Sequence, residues 1–181
     1  MPRRNLSSSS IDYALLSFLI SRPMHGYEMH QMLQKLPGLS RVWTLKQALL
    51  YAKLEKLENS GLIAPYPTME HNFTPPRKYF QITESGKTTL ETWFHETVIK
   101  SRDMRQEFLA KLLLIRQFRP HLLPELLDRQ IDLTEAWVSS LESELANESE
   151  KLLEDWLITS FRLLQVQSML DWLQKVKSRL I

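Results

Sequence analysis

The 181-residue chain is 43% hydrophobic and has no cysteine, so it can bury a core, while a disulfide framework, a thiolate zinc site and a cysteine nucleophile are excluded. Its net charge is only +2, but residues 1–95 hold 11 Lys or Arg against 7 Asp or Glu and residues 96–181 hold 12 against 14, which makes the first half the basic one. Four glycines and a leucine-rich second half argue against glycine-rich catalytic loops and for a mainly α protein with a small β-hairpin.

Residues 1–10, with Arg3, Arg4 and the serines Ser7 to Ser10, read as a flexible N-terminal arm without the apolar core of a signal peptide. No charge-free apolar run reaches the ~18 residues that cross a bilayer, so no membrane span is expected, and the absence of cysteine fits the expected cytoplasmic location. Ser10 is placed to cap a first helix whose Ile11, Leu15, Phe18 and Leu19 form one stripe, and Pro23 stops it. A second helix groups His25, Met29, Met32, Leu33 and Leu36 on one face before Pro37-Gly38, and Gly26 near its start lets another helix come close.

Thr44 is placed to cap a third helix that runs to about Asn59 and ends at Ser60-Gly61. Leu50, Leu54 and Leu57 fall on its core side, leaving Lys46, Gln47, Tyr51, Lys53 and Glu55 off that stripe. Leu62-Ile63-Ala64 opens a strand that Pro65 and Pro67 restrict to a sheet edge, and a return strand over Lys78 to Thr83 alternates Phe80 and Ile82 with Gln81 and Thr83. Between them, residues 68–76 form a loop with Arg77 and Lys78 at its base. Three helices followed by such a hairpin is the layout of a winged helix-turn-helix, here at residues 11–98.

Thr83 caps a fourth helix with Leu90, Trp93, Phe94 and Val98 on its apolar side. Residues 99–181 read as a C-terminal helical domain: one helix carries Phe108, Leu112 and Ile115, and another, from about Pro124 to Ala146, carries Leu126, Leu133, Trp137 and Leu141. In the last helix Trp156, Leu163 and Leu170 repeat every seven residues, with Val166, Leu173 and Leu180 three positions later. That a/d pattern fits a coiled coil between chains and a packing face within one chain equally well.

Lys46 and Lys53 can neutralise phosphates, Gln47 near a helix start can reach base edges, and the Tyr51 hydroxyl can donate to a phosphate oxygen. The competing reading is a solvated face of an amphipathic helix. Arg77 and Lys78, at the base of a loop able to reach a sugar-phosphate backbone, favour double-stranded DNA. His25, His30, His71, His95 and His121 lack metal-ligand spacing, and no nucleophile elbow, phosphate loop or dinucleotide fingerprint occurs. No metal, cofactor or catalysis is expected.

Pro23-Met24-His25-Gly26-Tyr27-Glu28, then Leu50-Tyr51 with Leu54, Leu57 and Gly61-Leu62-Ile63, then the run from Pro76 to Gly86, resemble the PadR family of bacterial transcriptional regulators. The resemblance implies a dimeric winged helix-turn-helix repressor whose third-helix tyrosine matches Tyr51 and whose wing-base Arg-Lys matches Arg77 and Lys78; with Lys46, Gln47 and Lys53 from the exposed helix face, these are the residues expected to contact a DNA operator. It also implies that the C-terminal helices form a dimerisation domain, for which Trp156, Leu163, Val166, Leu170 and Leu173 are the candidates. A small aromatic effector is a further implied partner; Trp93, Trp137, Trp156 and Trp172 are the aromatic residues for it, although Trp at helical spacing more often fills a core. Ala48, Leu49 and Ala52 depart from the family pattern around the third-helix tyrosine. The second half is similar to the longer extension of a branch related to virulence-gene activators. The rival reading is a protein-interaction adaptor that keeps the winged helix and the C-terminal helices without binding DNA; the modest charge and Leu49 favour it.

Overall fold

The computed structural model describes residues 9–67, 78–146 and 152–181. They divide into two compact units, Met1–Glu96 with Arg105–Pro120, and Thr97–Met104 with His121–Ile181. In the first unit, α1 (Ser10–Phe18) is buried on most of its circumference and lies at the centre of the core. Its cap is Ser9, one residue before the expected Ser10, because Asp12 then stands at the third helical position and its carboxylate accepts from the Ser9 N–H at 2.8 Å.

The helix-turn-helix consists of α2 (Gly26–Lys35), the single turn α3 (Leu39–Val42) and α4 (Gln47–Asn59). α3 starts at Gly38, whose φ of +86° is a left-handed conformation that suits glycine. The N-cap of α4 is Lys46, two residues later than the expected Thr44. The His30 ring Nε2 is hydrogen-bonded to the Leu45 carbonyl at 3.0 Å, and Lys46 at the N-cap is in extended conformation, so residues 44–46 feed the helix instead of joining it. Leu50, Leu54 and Leu57 are buried, as their spacing requires.

The expected two-stranded hairpin is a three-stranded antiparallel sheet in the order β1-β3-β2, where β1 is Met24–His25, β2 is Ile63–Tyr66 and β3 is Tyr79–Ile82. Met24 pairs with Phe80 and His25 with Tyr79; a two-residue strand leaves no periodic trace in a sequence. Pro65 lies on the edge strand β2, where its missing donor costs no ladder bond. α5 (Glu84–His95) is capped by the Thr83 hydroxyl, which accepts from Gly86 N–H at 3.0 Å, and it buries Leu90, Trp93 and Phe94.

After a 3₁₀ turn at Ser101–Asp103 and a π turn at Met104–Phe108 comes α6 (Leu109–Phe118). The sequence-based division places this helix with residues 99–181, but it belongs to the first unit. Its apolar surface is taken up there: Phe108, Leu114 and Ile115 are fully buried, and the Phe118 ring meets Phe18. The indole of Trp93 donates to Glu107 at 3.1 Å, stacks on Tyr13 at 4.5 Å between centroids, and carries the buried Lys111 ammonium over its face.

The second unit is a helical hairpin of α7 (Leu123–Ala146) and α8 (Leu153–Leu180). Thr159 bonds Glu144 near one end and Lys177 pairs with Asp128 near the other, so the two helices run antiparallel. Fully buried Gln130 accepts from Val98 N–H at 2.8 Å and donates to Val98 C=O at 3.1 Å, satisfying both backbone groups of a residue outside regular structure.

Candidate nucleic-acid interface

Four of the six residues expected to contact DNA, Lys46, Gln47, Tyr51 and Lys53, lie on α4 or at its N-cap. The first turn of α4 holds no acidic residue, and no side chain caps its N-terminus, so the leading N–H groups and the positive end of the helix dipole are not neutralised locally. Lys46 and Gln47 are exposed at that end, and Tyr51 follows one turn later with its side chain 41% exposed. Tyr51 is oriented from beneath. A Cβ built on Gly26 would stand 2.8 Å from the Tyr51 ring and 3.1 Å from Leu54, so the bare Cα of α2 is what lets the α4 tyrosine lie flat against it. Gly26 thereby fills the close-approach role expected of it. Together these groups offer a cation, an amide, a phenol and an uncapped helix start, all of which suit phosphate and base-edge contacts.

The other three expected contacts stand differently. Lys53 is only 16% exposed and its Nζ donates to Asp12 Oδ1 at 2.7 Å and to Ser9 Oγ at 2.8 Å, a link from α4 to α1. Lys78 is exposed, but it pairs with Glu58 on α4 at 2.7 Å and lies over the Phe80 ring, 5.2 Å from its centroid. Arg77, with the loop over 68–76 and its His71, lies outside the described residues, as does the arm over 1–8. Sequence reasoning missed Asp12 as the anchor of Lys53. Its signal was present: a carboxylate among Ile11, Tyr13, Ala14 and Leu15 on a buried helix needs a cation, and Lys53 meets that need.

In the helical unit, the candidate interface residues split. Val166 and Leu173, with Thr159, are buried within the chain on the α7-facing side of α8, which removes both from a free surface. Of the two heptad series, only the positions Val166 and Leu173 form a buried seam, and the helix they face is α7 of the same chain. Leu163 and Leu170 are half-buried and Trp156 is half-exposed. On the opposite side of α8, Leu153, Leu157, Phe161 and Leu164 follow helical spacing and are 52–67% exposed. Of the tryptophans considered for an effector, Trp93 belongs to the core, and Trp137 lines a cleft of about 740 Å³ in the helical unit together with Arg102, Leu141, Arg162 and Val166.

Among the described residues no helix is long and apolar enough to cross a membrane, and no group of three or more His, Asp or Glu could hold a metal ion. A helix-turn-helix beside a three-stranded antiparallel sheet is a winged helix-turn-helix. A model of the transcriptional regulator PadR-like family matches residues 15–92, which hold the helix-turn-helix and the sheet. The chain is 25% identical over 134 residues to the negative transcriptional regulator PadR of Bacillus subtilis, covering 73% of this chain and 71% of that one. A probable transcriptional regulator of Mycobacterium tuberculosis is 25% identical over 101 residues, 56% of this chain and 52% of that protein. Among solved structures, Bacillus subtilis PadR in complex with operator DNA aligns over 96% of this chain and 100% of its own, with 20% identity and a TM-score of 0.47. The relation to virulence-gene activators rests on the sequence resemblance alone.

Proposed function

We propose that the protein is a homodimeric, sequence-specific DNA-binding regulator that acts as a repressor. The observation that carries this reading is the start of α4: an uncapped helix N-terminus flanked by exposed Lys46, Gln47 and Tyr51, within the residues that match the PadR-like family model. Two copies of α4 enter successive major grooves of a pseudo-palindrome, the Tyr51 hydroxyl and Lys46 hold phosphates, and Gln47 reads a base edge. Arg77 and Lys78 hold the flanking backbone from the base of the wing, and Lys78 exchanges its Glu58 partner for phosphate on binding. Tyr51→Ala is expected to weaken operator binding about tenfold by removing a hydrogen bond to a charged oxygen. Lys46→Ala is expected to lower the salt slope of binding by about 0.9 for each phosphate that Lys46 neutralises. Mobility shifts at several salt concentrations read both effects, and unchanged affinity and slope would exclude α4 as the reading helix. Enrichment of no sequence motif from random duplexes would favour the protein-interaction adaptor.

The dimer is assigned to the outer face of α8. Leu153, Leu157, Phe161 and Leu164 form a continuous apolar stripe turned away from α7, and self-association about a two-fold axis would cover it on both copies. Trp156 and the half-buried Leu163 lie at the margin of this contact, so the interface is displaced around the helix from the Val166 and Leu173 seam. Phe161→Glu places two carboxylates in a symmetric apolar contact. It is expected to raise the dimer dissociation constant at least ~100-fold, as loss of a central hot spot does. Sedimentation equilibrium checks this, and an unchanged dimer would move the interface elsewhere.

A further inference from the structure

We infer that α4 reads thymine through its 5-methyl group, with Leu49 as the specificity-determining residue. The inference rests on the DNA-binding reading above. Leu50, Leu54 and Leu57 define the buried side of α4. At 3.6 residues per turn, the opposite side is centred on Ala48 and Ala52, both exposed, with Leu49 on one flank and Tyr51 on the other. Leu49 is 50% exposed, as expected for a side chain that awaits a partner or simply meets solvent. Its setting decides between these. The α4 start has no acidic side chain, Lys46 stands exposed one turn before Leu50, and the hydrogen-bonding groups Gln47 and Tyr51 lie on the far flank. The occupant that fits is a polyanion whose contacted surface is locally apolar. An acidic carboxylate partner would satisfy the charge but not the methyl-rich centre.

The chemistry of base edges narrows the occupant further. In the major groove, guanine, cytosine and adenine offer only donors and acceptors, whereas thymine adds a methyl group to its acceptor. Two alanine methyls and a leucine offer no hydrogen-bonding atom, so a cytosine amine or guanine acceptors pressed against them would lose water without replacement, which is unfavourable. A thymine methyl loses nothing polar and gains apolar burial. The small side chains at 48 and 52 also let the helix axis approach the base edges closely, which brings Leu49 within reach of one or two successive steps. Glu55 is exposed on the same side about two turns beyond Ala48, so the apolar patch is confined to the first two turns of α4.

The test begins with selection of binding sites from random duplexes by the full-length protein. The selected duplex is then remade with each thymine replaced in turn by deoxyuridine, which removes the methyl group and nothing else. Wild-type protein is expected to lose about fourfold in affinity at one or two positions per half-site, the factor corresponding to ~0.8 kcal/mol for one buried methyl. Leu49→Ala is expected to bind the thymine and uracil duplexes equally at those positions, and Leu49→Met, which keeps an apolar contact, to retain the discrimination. A selected site with no uracil-sensitive position overturns the inference and leaves the DNA-binding reading intact. Retention of full sensitivity by Leu49→Ala also overturns it, by assigning the methyl contact to another residue. Failure to select any site overturns the DNA-binding reading itself, a result distinct from both.

Discussion

Gly86→Ala is expected to destabilise the winged-helix unit by about 3 kcal/mol, the upper range for forcing an extra methyl into a filled site. A Cβ at this position would stand 2.1 Å from the Leu62 carbonyl oxygen, 2.8 Å from Ile82 and 3.1 Å from the Leu62 carbonyl carbon. The clash is with backbone, which cannot rotate away as a side chain does. That carbonyl is also committed: it accepts from Thr83 N–H at 3.1 Å, while the Thr83 hydroxyl donates to the neighbouring Gly61 carbonyl at 2.7 Å, with Leu62 O further away at 3.1 Å, and accepts from Gly86 N–H. Gly86 therefore permits the first turn of α5 to seat on the chain leading into β2, with Thr83 as the bolt. Relieving the clash means lifting α5 and breaking that cap, with Leu90, Trp93 and Phe94 carried along. Urea unfolding followed by far-ultraviolet circular dichroism checks this; a change under ~0.5 kcal/mol would show that α5 has room to retreat.

The parts of this architecture that were legible in the sequence are those that repeat. Leu50, Leu54 and Leu57 announce a helix with a buried side, Phe80 and Ile82 announce a half-buried strand, and Thr83 before Glu84 announces a helix start; each appears where its period or cap puts it. Periodicity records that a face is buried but carries no record of what buries it. Val166 and Leu173 show this: their heptad spacing is the same whether α8 pairs with a second chain or with α7. The exposed stripe from Leu153 to Leu164 has ordinary helical spacing and became visible only once α7 had taken the other side. A helix apolar on two sides looks merely hydrophobic until one partner is known.

The residues expected to contact DNA divide in a similar way. Lys46, Gln47 and Tyr51 are exposed, as their distance from the core stripe requires, but Lys53 at the same apparent distance is not free. Its partner Asp12 lies 41 residues away, beyond the reach of any local pattern. Likewise, the start of α4 is set by a His30 contact to Leu45, not by the hydroxyl of Thr44. Long-range polar contacts between unlike elements are the class of information a single sequence holds least openly, and here one of them ties the Lys53 ammonium to Asp12.

Asp12→Ala is expected to cost about 3 kcal/mol of stability, comparable with breaking one side of a buried ion pair, and this separates a structural from a nucleic-acid role for Lys53. Asp12 is 1% exposed and its two oxygens serve two donors, Ser9 N–H at 2.8 Å and Lys53 Nζ at 2.7 Å. The substitution removes the capping box of α1 and strands an ammonium that retains only Ser9 Oγ among these partners. Lys53→Met removes the charge and keeps the aliphatic stem, so it is expected to cost less than Asp12→Ala. The double variant Asp12→Ala/Lys53→Met is expected to be more stable than the sum of the two single effects by at least ~1 kcal/mol, the signature of a coupled pair. Binding gives the second, independent reading. If Lys53 is a tether that fixes α4 against α1, Lys53→Met leaves the salt slope of operator binding unchanged and lowers affinity only through looser presentation of Tyr51 and Gln47. If Lys53 instead leaves Asp12 to meet phosphate, the slope falls by about 0.9 for each phosphate that it neutralises. The 2.7 Å pair and 16% exposure favour the tether. A lowered slope together with an additive double variant would return Lys53 to the reading face.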